Sequence, residues 1–417
     1  MSTTLRGILI LVFTFAFVVI IGYQSLSNKS NIKRAYTFLL MASALFPFLD
    51  LGMTISGIQI KVYSVACTAF LIFNFTPIYR LAKKYYLILI YVIILLITSL
   101  ASEFKSDSLS SIADKLRPAI VFLAGLIVFQ TMDEKHRLNL FAKYMRMPII
   151  MTVLFGLIQI FVNQYFSVFY SVWDKTERIS LCYPDPQIAG CSAAMLTVYL
   201  WNKFLASKDN FKLVLMVFLT FVGLYTGSKV FLFGLFTGIL ISFIYLRQKT
   251  KYILVILIIV TVLFVTQEHW SQLYIFERLS GANESLEGRQ EVYWMVAIKI
   301  FVDNWATGIG SGVFQHYIEK YNIPMIHQQS DGIEVYASQP ESGYLLWLDE
   351  IGVFASIYII IILYFVFKKH GNHHINLSIV VPWLIAFVSL YNLGSNMLIY
   401  ILFITLALMV VQTRNKQ

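Results

Sequence analysis

Positively charged side chains stand in short polar segments between long apolar stretches, where they could hold a phosphate or pyrophosphate group. Lys229 follows a Thr-Gly-Ser sequence, which predicts a tight turn with the lysine at the start of the next helix. Free backbone N–H groups at a helix start attract anions, and a lysine adds a full positive charge. The alternative is that the Lys229 side chain only extends to the membrane interface.

Three arginines extend this set of candidate anion-binding residues. Arg178 precedes a Pro-Asp-Pro turn, Arg289 opens a stretch of helical period, and Arg117 begins an apolar stretch. The guanidinium group is planar and always charged, so it suits bidentate contacts with phosphate. Taken singly, Arg178 and Arg289 are more simply explained by surface ion pairs, and Arg117 fits either role. Several cations on one side of a membrane nevertheless point jointly to an anionic ligand.

The candidate proton acceptor is Glu341, which lies where a polar segment meets an apolar one. Partial burial would raise its pKa and make it a better base near neutral pH. The alternative is an acid that complements the dipole of the helix that follows. Asp349 and Glu350, further into the same apolar stretch, are predicted to serve helix packing or a buried hydrogen bond.

Metal ligands and disulfides receive little support from the sequence. His316 and His327 share a segment with Asp331, but their spacing matches no zinc pattern. We therefore predict no metal and no other cofactor. Cys182 and Cys191 flank the Pro-Asp-Pro turn, and nine residues of separation leave their pairing open.

The composition identifies the elements that must position these side chains. Of 417 residues, 58% are hydrophobic and only 13% are charged, with a mean hydropathy of +0.72. This excludes an ordinary soluble enzyme and a disordered chain. The net charge of +10 does not indicate nucleic-acid binding, because the basic residues form short clusters between apolar stretches. Such clusters are typical of cytoplasmic loops.

We therefore predict an all-α polytopic membrane protein with about 13 (12–14) transmembrane helices. The candidate spans are 5–22, 35–53, 58–79, 85–101, 115–131, 147–166, 187–206, 211–227, 229–246, 251–267, 344–367, 376–392 and 394–412. They divide the chain into transmembrane helices in 1–267, with a smaller outer loop at about 167–187, a cap at 268–343, and C-terminal transmembrane helices in 344–417.

The cap at 268–343 is predicted to lie outside the cytoplasm, because Lys and Arg clusters occupy the loops on the other side. It holds ten acidic and four basic residues. An amphipathic helix is predicted within 289–303, where Trp294, Ala297, Ile298 and Phe301 recur at helical spacing. The glycines of Gly308-Ile-Gly-Ser-Gly312 end it, and a second short helix is predicted at 313–321.

The order of these motifs resembles the bacterial O-antigen polymerase and O-antigen ligase superfamily (Wzy-like polysaccharide polymerases). The resemblance covers about 170–365 and depends on four stretches: Arg178 with Tyr183-Pro-Asp-Pro-Gln-Ile-Ala189; Leu224-Tyr-Thr-Gly-Ser-Lys229; Arg289-x4-Trp294 with Phe301-x-Asp-Asn304 and Gly308-Ile-Gly-Ser-Gly-Val-Phe314; and Glu341-Ser-Gly-Tyr-Leu345 with Glu350-x-Gly352. Two residues depart from the family pattern. Lys229 replaces the usual arginine, and Glu341 stands where ligases carry histidine, which favours the polymerase.

The resemblance implies a periplasmic-face glycosyltransferase of the bacterial inner membrane, acting in lipopolysaccharide or polysaccharide biosynthesis. The donor would be an oligosaccharide repeat unit on polyprenyl (undecaprenyl) pyrophosphate, and the acceptor another lipid-linked unit. Arg178, Lys229 and Arg289, with Arg117 as a fourth, would bind the pyrophosphate. Glu341 and Arg289 would be catalytic. The rings that could stack on sugars are Tyr344, Trp294 and Tyr293.

Membrane lipid, a chain-length regulator and a flippase are the partners that this interpretation implies. One alternative is an O-antigen ligase that transfers glycan to lipid A core. A lipid-linked oligosaccharide transporter is less favoured, because the notable charges gather on the outer side and no matching halves with broken helices are visible.

Overall fold

The structure is a computed structural model that describes part of the chain. The described stretches are 42–55, 58–73, 86–130, 132–164, 178–245, 293–321, 326–328, 334–336, 340–355, 373–389 and 395–414, with a few isolated residues elsewhere. The predicted span 251–267 and the candidate Arg289 lie outside the described residues, as does most of the predicted span 5–22.

The described residues are predominantly helical, as predicted. The helices are α1 (Val62–Phe73), α2 (Tyr86–Ala101), α3 (Lys105–Gln130), α4 (Glu134–Phe161), α5 (Pro186–Ser207), α6 (Asn210–Tyr225), α7 (Lys229–Tyr245), α8 (Met295–Asp303), α9 (Phe314–Lys320), α10 (Gly343–Ile351), α11 (His373–Ser389) and α12 (Asn396–Arg414), and a 3₁₀ turn covers Phe46–Phe48. The gap between α11 and α12 coincides with the predicted division of 376–412 into two spans.

Two short hairpins were not predicted. Strands β1 (Gly52–Ile55) and β2 (Ile58–Lys61) pair antiparallel with Gly52 opposite Lys61, and β3 (Ile326–Gln328) pairs with β4 (Glu334–Tyr336). The first hairpin corrects two predicted spans, because the end of 35–53 and the start of 58–79 form strands. β-Branched residues on both sides of a Ser-Gly pair favour a hairpin over a continued helix.

The number of membrane spans stays a prediction. Among the described residues, α4 is the helix that is both long and apolar enough to cross a membrane. Six shorter apolar helical segments of 10–17 residues accompany it. They are Tyr63–Phe73, Leu89–Ala101, Asn210–Tyr225, Lys229–Phe243, Leu377–Val388 and Met397–Val411.

Both helices predicted in the cap are confirmed as α8 and α9, but the buried face of α8 differs from the prediction. Ala297 and Ile300 are fully buried in a cluster that α9 and α10 complete. Ile298, predicted to belong to that face, is 48% exposed. Because the helix is only nine residues long, a register based on aromatic residues at its ends misplaces the inward face by one position.

The chain folds as two compact units. Unit 1 comprises 1–143, 286–368 and 387–415, and unit 2 comprises 144–285, 369–386 and 416–417. In unit 1, α3 packs along α12 and against α1 and α2. The buried Asp50 carboxylate accepts hydrogen bonds from Ser395 Oγ at 2.6 Å and Met397 N at 3.2 Å. This contact holds the start of α12.

In unit 2, α5 packs against both α6 and α7 and is buried over most of its length. The Asn202 side chain of α5 donates to Ser378 Oγ of α11 at 2.8 Å. Within this unit, α6 and α7 are joined by the turn that carries the Thr-Gly-Ser-Lys motif, so the packing of α5 fixes the position of that turn.

Candidate active site

Two of the predicted motifs meet in unit 2 through the Arg178 side chain. The guanidinium is buried, with 7% of the residue exposed, and its Nε donates to the Thr226 carbonyl at 3.0 Å. The next backbone amide, Ile179 N, donates to the Tyr225 carbonyl at 3.3 Å. Arg178 is therefore fixed against the Thr-Gly-Ser-Lys turn, although the two motifs are far apart in the sequence.

The turn places Lys229 at the first position of α7, as predicted. Thr226 Oγ1 donates to the Gly223 carbonyl at 2.7 Å and accepts from Ser228 N at 3.3 Å. Gly227 has φ +59°, a left-handed conformation that glycine adopts at no steric cost. The result is a helix start with a partly exposed lysine, which is an electrostatic setting that favours anions.

The turn packs closely against Gly190 of α5. A Cβ at Gly190 would lie 2.5 Å from Ser228 Cβ and 2.7 Å from Ser228 Oγ. Any larger residue at this position would push the turn away from its place. The small residue thus positions the motif that carries Lys229.

The Tyr-Pro-Asp-Pro motif has a structural role at the start of α5. Asp185 Oδ1 accepts from Gln187 N at 2.6 Å and from Ile188 N at 3.2 Å. This is an N-cap, and Pro186 occupies the first helical position that proline favours. The motif therefore begins the helix that supports the turn.

The segment between Arg178 and α5 is attached to α4. Gln159 exchanges two hydrogen bonds with the backbone of Leu181, at 2.7 Å to the amide and 3.0 Å to the carbonyl. Thr152 Oγ1 lies 3.1 Å from the Tyr183 hydroxyl. Cys182 and Cys191 are both buried, and they do not form a disulfide with each other.

In unit 1, the glycine-rich segment wraps around the carboxyl end of α10. Ile309 N donates to the Asp349 carbonyl at 2.8 Å, and Gly310 N donates to the Glu350 carbonyl at 3.1 Å. Gly308 and Gly352 both have positive φ, at +70° and +66°. A Cβ on Gly308 would lie 2.5 Å from the Glu350 carbonyl group. The Gly-x-Gly and Glu-x-Gly motifs are thus two halves of one packed joint.

Glu350 lies at the centre of this joint, which confirms its predicted buried hydrogen bond. Its Oε1 accepts from Gly312 N at 2.8 Å, and its Oε2 is 2.6 Å from Lys115 Nζ. The two side chains are only 1% and 6% exposed. A buried pair of this kind is costly to break, because removal of one partner leaves an uncompensated charge.

The sequence analysis did not predict the buried role of Lys115. The predicted span begins at that residue, whereas α3 begins ten residues earlier at Lys105. The available signal was the serine-rich stretch that precedes it. A Cβ at Gly310 would lie 2.5 Å from Ser108 Oγ, and one at Gly312 would lie 2.3 Å from Ser111 Oγ. Small residues on both sides allow the glycine-rich segment to approach α3 closely.

Arg117 follows Lys115 on α3 and is also buried. Its guanidinium donates to the Asp114 carboxylate. This is the ion pair considered as the alternative role for Arg117, and a contact with pyrophosphate stays a prediction. Arg178, by contrast, donates to the backbone carbonyl of Thr226.

Glu341 immediately precedes α10. It is half-buried and has φ +51°, which is uncommon for a residue other than glycine. Its neighbour Ser342 is the N-cap, and Ser342 Oγ accepts from Leu345 N at 3.4 Å. Tyr344 packs edge-on against Phe387, with ring centroids 4.9 Å apart. Since strained backbone positions cluster at functional sites, this conformation keeps Glu341 a candidate.

The remaining aromatic candidates flank the start of α8. Tyr293 packs against the buried cluster of α8, α9 and α10. Trp294 is half-buried, and its indole N–H is buried without a hydrogen-bond partner among the described residues. The structure places both residues in unit 1.

The predicted site residues therefore fall in two groups. Unit 2 brings Arg178 to the turn that carries Lys229. The other described candidates belong to unit 1, and they are Arg117, Tyr293, Trp294, Glu341 and Tyr344. Among the described residues there is no group of three or more His, Cys, Asp or Glu side chains arranged to hold a metal ion.

A family model, Wzy_C, described as O-antigen ligase, matches residues 213–361. The resemblance to the O-antigen ligase and polymerase superfamily is confirmed. The match includes the Thr-Gly-Ser-Lys turn, the glycine-rich segment and the Glu341–Gly352 stretch, whereas Arg178 lies before it. No curated protein and no solved structure matches the chain.

Members of this family are membrane proteins and glycosyl-transferring enzymes of O-antigen and lipopolysaccharide biosynthesis. They act on lipid-linked oligosaccharides. The O-antigen ligase match is therefore consistent with a lipid-linked oligosaccharide substrate.

Proposed function

We propose that the protein is an inner-membrane glycosyltransferase that polymerises polyprenyl-pyrophosphate-linked oligosaccharide repeat units at the periplasmic face. The observation that carries this proposal is the hydrogen bond from Arg178 Nε to the Thr226 carbonyl, 3.0 Å long. It joins an arginine to a helix start that bears Lys229. Two cations fixed at one helix start suit a pyrophosphate leaving group.

The proposed reaction is a displacement at the anomeric carbon of the donor sugar. A hydroxyl oxygen of the acceptor unit forms the new glycosidic bond, and the bond from the anomeric carbon to the phosphate oxygen breaks. The electron pair of that bond stays on the pyrophosphate, where Arg178 and Lys229 stabilise the growing negative charge. Arg289, in the segment outside the described residues, is the proposed third cation, and Glu341 accepts the proton of the attacking hydroxyl.

The polymerase is favoured over the ligase by the residue at position 341. A carboxylate there can accept a proton, but it is not the histidine that ligases carry at the corresponding motif. The aromatic side chains of Tyr344, Trp294 and Tyr293 are proposed sugar contacts. A chain-length regulator and a flippase are proposed partners, since a polymerase needs its donor delivered to the outer leaflet and its product length set.

The test is a glycan profile of the Arg178→Ala variant in the native host, on a gel that resolves chain length. The matched control is Arg146→Ala, which removes an exposed arginine from the middle of α4 in the same unit. Protein abundance in the membrane is measured for both variants. We expect the long ladder to collapse to core plus one repeat in Arg178→Ala alone.

Two other results would redirect the proposal. Loss of even the single repeat from the core, with polymer accumulating on the lipid carrier, would identify a ligase. An unchanged ladder in Arg178→Ala, with the protein abundant, would overturn the role of Arg178 and reopen the transporter alternative.

A further inference from the structure

A small pocket in unit 2 lies directly beside the Arg178 turn. Its volume is about 240 Å³, and its lining comes from the carboxyl end of α4, Ile179 and Tyr225. Ile179 and Tyr225 are the chain neighbours of Arg178 and Thr226, and their backbones share the 3.3 Å hydrogen bond. The pocket therefore shares a wall with the proposed pyrophosphate site.

The lining combines side-chain amides with aromatic rings. Asn163 and Gln164 supply the amides, while Phe161 and Tyr225 supply the rings. Amides hydrogen-bond hydroxyl groups, and aromatic faces pack against the C–H face of a sugar ring. None of the described residues that line the pocket is charged, which suits a neutral sugar.

The wall of the pocket is held in place rather than left loose. Both polar atoms of the Gln159 amide are engaged: its oxygen accepts from Leu181 N, and its nitrogen donates to the Leu181 and Phe166 carbonyls at 3.0 and 2.7 Å. The Phe161 ring, 72% exposed, stacks with Phe221 at a centroid distance of 6.4 Å. Tyr225 also packs on Phe221, with ring centroids 5.1 Å apart, so both rings contact the same neighbour.

We propose that this pocket binds the sugar that is attached to the pyrophosphate of the donor. The inference rests on the proposed function, since it takes the Arg178 turn as the pyrophosphate site. A volume of about 240 Å³, a mixed amide and aromatic lining, and a position beside the chain neighbours of Arg178 and Thr226 together fit the first sugar of a lipid-linked unit. The pocket would then select among donors by their first sugar.

The test compares two probes, polyprenyl pyrophosphate without sugar and the lipid-linked repeat unit of the native host, bound to the purified full-length protein. The pocket variants are Asn163→Ala and Tyr225→Leu, and Tyr225→Phe retains the aromatic ring as a control. We expect the first two to weaken binding of the sugar-bearing probe by about tenfold, as for one or two lost polar contacts. Binding of the sugarless probe should stay at the wild-type level.

The Arg178→Ala variant separates this inference from the proposed function. If it weakens binding of both probes while the pocket variants change neither, the pyrophosphate site stands and the sugar pocket is wrong. Equal weakening of both probes by the pocket variants would also overturn the sugar pocket, because the pocket would then hold the pyrophosphate or the lipid. If Arg178→Ala changes neither probe, the proposed function fails and the sugar pocket fails with it.

Discussion

Buried cationic side chains have different partners in the two units of this protein. In unit 2, the buried Arg178 guanidinium donates to the Thr226 backbone carbonyl at the turn that precedes α7. In unit 1, Lys115 lies 2.6 Å from the Glu350 carboxylate, and both side chains are almost fully buried. A backbone carbonyl carries no net charge, whereas a carboxylate supplies the opposite charge that pairs with a buried cation. The contrast separates the proposed substrate site from a structural joint.

The largest effect is expected from breaking the joint in unit 1. Glu350→Gln removes the carboxylate charge that lies 2.6 Å from the buried Lys115 ammonium, and it should destabilise the protein by about 3–5 kcal/mol. The double variant Lys115→Met with Glu350→Leu replaces the pair by apolar groups and should recover most of that loss. Thermal unfolding of the purified variants measures both. Wild-type stability of Glu350→Gln alone would show that the pair does not hold the joint.

Removal of the charge at the turn in unit 2 should impair chemistry rather than stability. Lys229→Met is expected to slow chain elongation in reconstituted membranes by about 10²-fold, as for loss of one charge-stabilising group. Lys229→Arg should keep most of the activity. The matched control, Lys212→Met, removes a lysine from the start of α6, opposite the turn, and should elongate normally. Equal effects of the two Met variants would contradict a specific role for Lys229.

Glycine-to-alanine substitutions should affect stability in the unit 1 joint and chain elongation at the unit 2 turn. Gly352 has a positive φ, and a Cβ there would lie 2.7 Å from Gly308 N. Gly352→Ala should therefore lower the free energy of unfolding by about 1–3 kcal/mol. Gly190→Ala would instead push Ser228, and it should lower elongation more than stability. Its rescue by the second substitution Ser228→Gly, measured as elongation rate, checks that the displacement of the turn is the cause.

The smallest effect is expected at an exposed ion pair of unit 1. Lys320 on α9 lies 2.6 Å from a Glu103 carboxylate oxygen, and both side chains are about half exposed. Such pairs contribute about 0–1 kcal/mol, so Lys320→Ala should scarcely change the unfolding temperature. A loss as large as that of Glu350→Gln would mean that charge burial is not what distinguishes the two pairs.

The sequence predicted the local elements of the site well. The turn before Lys229, the break at the glycine-rich segment and the two short cap helices are each determined by nearby residues, so local patterns sufficed. The N-cap role of Asp185 is likewise local, although the motif was interpreted only as a turn. These features depend on backbone chemistry within a few residues.

Contacts between segments that are far apart in the sequence could not be predicted from local patterns. Nothing in the spacing of Arg178 and Thr226 predicts their hydrogen bond. The ion pair of Lys115 was not predicted either, because Lys115 stands at the edge of an apolar stretch. The hairpin of β1 and β2 was read as membrane span, because its residues are as apolar as those of a helix end. Apolar composition measures burial, and it does not distinguish a short strand from the turn of a helix.

The most direct test of the account is the position of the pyrophosphate in the protein. A structure of the protein in a lipid nanodisc with bound polyprenyl pyrophosphate would measure it. We predict that the phosphates lie at the start of α7, within hydrogen-bonding distance of Arg178 and Lys229. Phosphates beside Lys115 and Glu350, or away from both cations of unit 2, would contradict the division between a substrate site and a structural joint.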